Sequence, residues 1–337
     1  MEQINSKAIS KKEFIDIRFF FQRIKSKLKI NICSDESGFD RKITEQNLNR
    51  PGLALSGFVD LFSHARVQLF GNTEVQYLNS LSKEKRLEAI ERVFRFDIPC
   101  VIFTDNNIPE DDVINLANQF HIPVFTTPFN TTEFVYLLSD FLNDQFALRA
   151  SIHGSFVDVY GIGIVFIGKS GIGKSEVALD LIERGHRLVA DDIIILTKKG
   201  EGILMGSGTN LVKHFMEIRG LGLIDVERMF GIRAIRYQKR LEIIVELEVW
   251  NDKEEYTRTG LDGNYETISD VEIPYVKLPI LPGKNITVIS EVISLNYLLK
   301  HFGYDAAAQF QNTLNKRLKG ENIDKIRGVE YFEHDFE

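Results

Sequence analysis

The chain has 337 residues, 44% of them hydrophobic and 26% charged, and a formal net charge of -7. That length leaves room for about two domains with ordinary cores; the acidic balance argues against a protein whose main partner is nucleic acid, which shows a basic face or stripe. The only cysteines, Cys33 and Cys100, are too few and too far apart for a disulfide framework or a zinc site and fit a reducing cytoplasm, and no stretch approaches the ~18 apolar residues of a membrane span.

Near the start, Phe19, Phe20 and Phe21 stand among Lys11, Lys12, Arg18, Arg23, Lys25 and Lys27, which leaves no apolar core of signal-peptide length. They are expected on a helix packed against its own domain; a surface-binding amphipathic helix is the alternative. Over residues 66–127, short β-like runs (67–70, 100–104, 123–126) alternate with helical stripes: Leu87, Ile90 and Phe94, then Val113, Leu116, Ala117 and Phe120. Such alternation predicts a parallel α/β sheet. No glycine fingerprint or catalytic cluster occurs there, so residues 1–130 are expected to form a structural or regulatory domain, with a linker helix over 131–150.

Residues 162–167 form an apolar, β-branched run suited to a buried strand, and Val177, Ala178, Leu181 and Ile182 make a helical stripe that stops at Gly185. Between them Gly168, Lys169, Ser170, Gly171, Ile172, Gly173, Lys174 and Ser175 fit GxxxxGK[ST] at every fixed position. The glycines let backbone N–H groups turn inward, the lysine reaches the terminal phosphates, and the serine hydroxyl can hold Mg²⁺. A chance match is expected roughly once in a hundred chains of this length, and the strand–loop–helix context lowers that further. After the helix, Leu188, Val189 and Ala190 lead into Asp191 and Asp192. A carboxylate ending a strand beside a phosphate loop can hold Mg²⁺ or take a proton from an attacking hydroxyl, and two could divide those tasks; a polar turn is the plain alternative.

Further on, Leu241, Ile243, Val245, Leu247 and Val249 alternate with Glu242, Glu246 and Glu248, a strand with one wetted face. Residues 271–281, interrupted by Pro274 and Pro279, read as edge strand and loop. Two helical stripes close the chain, Val292, Leu295, Leu299 and Phe302, then Ala306, Phe310, Leu314 and Leu318; both read as packing faces, and Lys316, Arg317 and Lys319 offer a contact for an acidic or protein partner.

The blocks His153-Gly154, 158–161, the phosphate loop, 184–192 and Glu217-Ile218-Arg219-Gly220-Leu221-Gly222, with Arg50-Pro51-Gly52-Leu53 and 66–71 earlier, closely resemble HPr kinase/phosphorylase over nearly the whole chain. The resemblance implies an α/β fold in which an N-terminal parallel α/β domain precedes a P-loop kinase domain, phosphoenolpyruvate-carboxykinase-like, over 151–330. It implies a cytoplasmic homohexamer that phosphorylates a serine of the phosphocarrier protein HPr with ATP and Mg²⁺, and in reverse uses inorganic phosphate to release pyrophosphate, without nucleic acid or membrane as partner. By match to the family's motifs, Gly168 to Ser175 would bind the nucleotide, Lys174 would meet the phosphates, and Ser175 and Glu217 would contact Mg²⁺. Asp192 would exchange the serine proton, and His153 and Arg258 fall on active-site positions. Pro279, Ile280, Leu281, Pro282, Gly283 and Lys284 match the segment tied to dephosphorylation. The family usually has arginines where this chain has Leu281 and Lys284, and Thr257 and Thr259 also depart from the commoner pattern. Two other readings share the phosphate loop: a small-molecule kinase, and a nucleotide-sensing regulator or nucleic-acid-associated ATPase that transfers no phosphate.

Overall fold

The structure is a computed structural model that describes residues 10–200, 202–209, 214–251, 264–281 and 283–318. The chain divides into two compact units, Ser10–Leu148 and the part from Arg149 onward.

The first unit runs β1 (Ile15–Asp16), α1 (Ile17–Ile24), β2 (Asn31–Ile32), β3 (Lys42–Ile43), β4 (Leu48–Asn49), α2 (Gly52–Ser56), β5 (Val67–Phe70), α3 (Asn72–Asn79), α4 (Lys83–Phe94), β6 (Val101–Phe103), α5 (Asp111–Gln119), β7 (Val124–Thr126) and α6 (Thr131–Gln145). Its sheet has the order β2-β7-β6-β5-β4, parallel from β4 to β7 with β2 antiparallel at the edge. Every residue of β5 and β6 is buried, as expected of parallel strands covered on both faces. One face packs against Phe20 of α1 and Phe134, Leu138 and Leu142 of α6; the other packs against Ile90, Val93 and Phe94 of α4 and Val113 and Ala117 of α5. The Phe19–Phe21 triplet therefore lies on a packed helix, whose first turn is capped by Asp16 accepting from Phe19 N. The helix read as a linker, α6, is instead part of this unit's core, because its 3.6-residue stripe meets the sheet face that α1 leaves open. Two of the sequence blocks meet here: Arg50 donates to the buried Glu74 at 2.8 and 3.2 Å, and Glu74 accepts Gly71 N at 3.0 Å. A Cβ at Gly71 would fall 2.4 Å from Thr131 Oγ1, so only glycine admits α6 this close. Burial pushes the Cys100 thiol pKa far up, which leaves it inert.

The second unit runs β8 (Arg149–Val159), β9 (Ile162–Gly168), α7 (Lys174–Glu183), β10 (Arg187–Lys199), β11 (Ile203–Gly208), β12 (Phe215–Ile218), β13 (Gly222–Asp225), α8 (Val226–Phe230), β14 (Lys239–Arg240), β15 (Ile243–Val249), β16 (Tyr265–Ile268), β17 (Val271–Ile280), α9 (Ile286–His301) and α10 (Ala306–Leu318). Among the described residues one sheet has the order β14-β11-β10-β8-β9-β15-β17-β16. Strands β9, β15 and β17 are parallel, while β8 and β10 are antiparallel. Val177, Ala178, Leu181 and Ile182 of α7 bury against Ile164, Phe166, Val245 and Leu247, which seats the helix directly over the strand that precedes it.

Four expectations change. The aspartates do not end a strand: β10 continues through them to Lys199, paired with β8 on one side and β11 on the other. The glutamates of β15 are not a wetted face. Glu242, just before the strand, sits between Lys239 Nζ (2.9 and 3.0 Å) and Gly163 N; within the strand, which is central, Glu246 accepts from Tyr275 Oη and Glu248 lies 3.8 Å from Lys277 Nζ. Residues 271–280 form one continuous strand; 271–274 pair with β16 and 275–280 with β15, so each half has an unpaired side that tolerates a proline lacking N–H. Finally, the stripe Val292, Leu295, Leu299 and Phe302 faces out, with Phe302 85% exposed. The buried face of α9 is instead Ile286, Thr287, Ser290, Glu291 and Ser294; the serine hydroxyls return to the backbone (Ser290 Oγ to Ile286 O, 2.8 Å; Ser294 Oγ to Ser290 O, 3.1 Å), Thr287 Oγ1 donates to Asp180 Oδ2 of α7 at 3.2 Å, and these small side chains let the helix sit close. Phe310, Leu314 and Leu318 of α10 are likewise exposed.

Glu291 links α9 to the end of α7 by accepting from Arg184 at 2.7 and 2.8 Å and facing His186 Nε2 at 3.1 Å. The Arg184 hydrogen bonds hold its pKa below the usual carboxylate value, against the opposing effect of burial. A carboxylate whose folded pKa is depressed stabilises above its unfolded pKa, about 4.3, and loses that contribution as pH falls through the folded value. Glu291→Gln is expected to lower the melting temperature by a few degrees at pH 7, with the deficit closing below pH ~4; thermal scans across pH check it.

Candidate active site

Six of the seven β9 residues are buried, and the strand delivers the chain to Gly168 at the carboxyl edge of the sheet. There φ is +142° and a Cβ would fall 2.4 Å from Leu247 O of the neighbouring strand, so a side chain has no room. Gly171 (φ +80°) and Gly173 (φ +103°) turn the loop through left-handed conformations into α7. Helix α7 starts without a side-chain cap, which leaves its first-turn N–H groups for an anion, on the positive end of the helix dipole. Lys174 Nζ rests on Gly168 O and Lys169 O at 3.1 and 3.2 Å, within the loop it would leave to meet a phosphate.

The β8–β10 register sets Ser155 opposite Asp191, Gly154 opposite Asp192 and His153 opposite Ile193. Asp191 is buried and accepts from Ser155 Oγ at 2.5 Å, from Ser175 Oγ at 3.0 Å, and from the backbone N–H groups of Glu217 and Asp192. Burial raises its pKa and those donors oppose the rise. Asp192 has φ +68°, which swings its side chain out of the pleat into the open, 3.6 Å from His153 Nδ1. A Cβ at Gly154 would fall 2.4 Å from Phe166 O, so glycine is needed beside this pair. The β12–β13 hairpin brings in Glu217 on β12 and Arg219 at its turn. A cavity of about 260 Å³ opens between Gly173, Lys174, Ser175, Asp191, Asp192 and Glu217.

The structure thus gathers Ser170, Gly171, Gly173, Lys174, Ser175, Asp192 and Glu217 around one cavity, with His153 at its rim. Lys169 and Gly168 shape the loop, and Ile172 packs toward the core under α7. Arg258 and Pro282 lie outside the described residues. Pro279 and Ile280 end β17 on the same carboxyl edge as Gly168: Leu247 pairs with both Gly168 and Leu278, and Pro279 follows one residue on. Leu281, Gly283 and Lys284 continue from there, Lys284 Nζ returning to Pro279 O at 3.4 Å, and none of them lines the cavity. Ser155 and Arg219 were not singled out as site residues by sequence. The doubled aspartate flagged Asp191, but only strand register shows that Ser155 lies opposite it.

The oxygen donors Ser175, Asp191, Asp192 and Glu217 suit a hard cation. No group of three or more His, Cys, Asp or Glu side chains closes on one point among the described residues; Mg²⁺ takes one or two carboxylates plus substrate phosphates, so this donor set fits it without a protein cage.

A glycine-lined cradle at the mouth of a buried strand, with a lysine, a hydroxyl and carboxylates converging on it, defines the P-loop class of nucleotide-using phosphotransferases. Residues 15–142 match the family model described as HPr Serine kinase N terminus, and residues 144–314 the HPr Serine kinase C-terminal domain. A curated HPr kinase/phosphorylase of Chloroherpeton thalassium is 53% identical over 335 residues, covering 97% of this chain and 98% of that one. That of Prosthecochloris aestuarii is 48% identical over 331 residues, 97% of each. A solved Hpr(Ser) kinase/phosphatase from Coxiella burnetii aligns at 34% identity and TM-score 0.42 over 48% of this chain and 97% of that one. The chain belongs to the HPr kinase/phosphorylase family and is an enzyme of that kind. No helix among the described residues is long and apolar enough to cross a membrane.

Ser155→Ala removes one donor from a buried carboxylate that keeps three others, which is expected to cost about 1–2 kcal/mol of stability in urea unfolding. Ser155→Thr, which keeps the hydroxyl, is expected to cost less.

Proposed function

We propose that the protein transfers the γ-phosphoryl group of ATP to a serine hydroxyl of HPr, and in reverse moves it from phosphoserine to inorganic phosphate, releasing pyrophosphate. The observation behind this reading is the open Asp192 carboxylate at the mouth of the phosphate cradle, on the strand residue next to a buried carboxylate that holds Ser175. A small metabolite needs no open mouth, whereas a serine presented on a protein surface does.

In the forward direction Asp192 takes the proton from the serine hydroxyl as that oxygen attacks the γ-phosphorus and the bond to the β,γ-bridging oxygen breaks. In reverse an oxygen of inorganic phosphate attacks the phosphoserine phosphorus, the serine C–O–P bridge opens at phosphorus, and the carboxyl returns the proton to the leaving oxygen. One carboxylate serves both because the base of one direction is the acid of its reverse. His153, 3.6 Å away, orients that carboxylate. Lys174 moves from the loop carbonyls to the phosphates, and Arg258, by family position, adds a second cation. Mg²⁺ bound through Ser175 and Glu217 would neutralise charge on the phosphate oxygens.

Pro279 and Ile280 lie on the same sheet edge, and the segment they open, 279–284, serves the reverse reaction. Lys284 keeps the charge of the family's arginine without its planar fork and Leu281 keeps neither, so phosphorolysis is the direction these residues alter. The first unit has a structural or regulatory role and the second is catalytic. The exposed apolar stripes of α9 and α10 support assembly into the family's hexamer, in the cytoplasm.

Asp192→Asn is expected to slow phosphate transfer to HPr by roughly 10²–10⁴-fold in both directions while Mg–ATP binding persists; phosphoserine read by mass checks it, and unchanged rates would remove the assignment. Transfer to metabolites with HPr inert would replace the protein acceptor by a small one.

A further inference from the structure

Three arginines of the second unit are paired with carboxylates. Arg184 meets Glu291 at 2.7 Å, Arg236 meets Asp158 at 3.1 Å, and Arg228 meets Asp225 at 3.3 Å. Arg219 differs. Among the described residues no carboxylate lies within ion-pair distance of it, although it shares a cavity with Glu217, Asp191 and Asp192. Its guanidinium lies on the middle of the phosphate loop: Nη2 donates to Ser170 Oγ at 3.3 Å, and a Cβ built on Gly171 would fall 2.2 Å from Nη1 and 2.6 Å from Cζ. The bare, left-handed Gly171 is what admits the planar group.

The backbone that carries Arg219 is built to present it. Strands β12 and β13 pair Ile218 with Gly222, Leu221 N returns to Ile218 O at 3.1 Å, and Gly220 and Gly222 both have positive φ, so the turn projects the arginine from a two-stranded support. Position on the loop distinguishes it from Lys174. The lysine and Ser175 open α7, whereas Ser170 and Gly171 stand before the helix, on the cavity that Asp192 also lines.

We propose that Arg219 clamps the terminal phosphate. On binding, its guanidinium exchanges the weak Ser170 hydroxyl for two oxygens of the outermost phosphate, and in the reverse direction for those of the incoming inorganic phosphate. An unpaired, planar, two-pronged cation over a phosphate cradle matches a phosphate oxygen pair in a way a lysine does not, and an arginine supplied to the transferring group is a recurrent way to stabilise its charge. This rests on the phosphotransferase reading of the cavity but not on HPr being the acceptor.

The test is calorimetry of Mg–ATP, Mg–pyrophosphate and Mg–ADP binding to the full chain and to Arg219→Gln and Arg219→Lys, with no acceptor protein present. Arg219→Gln is expected to weaken ATP and pyrophosphate by roughly tenfold or more and ADP by less than about twofold, with Arg219→Lys recovering only part of the loss. Unchanged ATP and pyrophosphate affinity would overturn the proposal. So would an equal loss for all three ligands, which would mean that Arg219 only shapes the loop. If the wild-type chain binds ATP but leaves HPr unmodified, the acceptor assignment falls and the clamp stands or falls on its own data.

Discussion

One buried carboxylate ties together the phosphate-loop region of the second unit. Asp191 accepts from Ser155 on β8, from Ser175 on the first turn of α7, and from the backbone N–H of Glu217 on β12, so a central strand, the phosphate-loop helix and the hairpin bearing a candidate metal contact meet at one group. Leaving a buried carboxylate without donors is costly, and four donors aimed at it fix three separate segments at once. Asp192, the next residue, is free to face the open cavity only because its neighbour is anchored inward.

Around that anchor, glycines decide how near the pieces can come. Gly154 lets β8 lie beside Phe166, Gly168 lets the loop leave against Leu247, and Gly171 gives a guanidinium a flat seat. Each position is one where a single added carbon meets a backbone atom or a charged group, so the space over the loop is defined by absent side chains. The cations, Lys174 and Arg219, both rest on the loop itself: the lysine on its carbonyls, the arginine on its hydroxyl and its glycine. Both are held close to where charge would arrive, by contacts weaker than the ones a phosphate offers.

Assembly of the second unit uses polar contacts where apolar ones were expected. Helix α9 buries two serines and a glutamate and turns its larger apolar stripe outward. Small residues permit close approach to α7, and the Arg184–Glu291 pair fixes the angle at which they meet. Strand β17 ends at Ile280 and α9 begins at Ile286, so Pro279 and Ile280 are fixed by strand pairing on one side of the connection and the anchored helix lies on the other.

By itself the sequence determined the elements whose signal is local. The phosphate loop, its flanking strand and helix, the alternating α/β pattern of the first unit and the acidic pair were all legible, because glycine spacing and hydrophobic period act over a few residues. Only the tertiary structure decided that Asp191 is the buried anchor and Asp192 the open group, that Ser155 and Arg219 join the site, and that α6 closes the first core. It also decided that the glutamates of β15 are paired and that the apolar stripe of α9 faces out. Those outcomes depend on strand register and on which face a neighbour covers, and both are set by residues tens of positions away, beyond the reach of any local pattern.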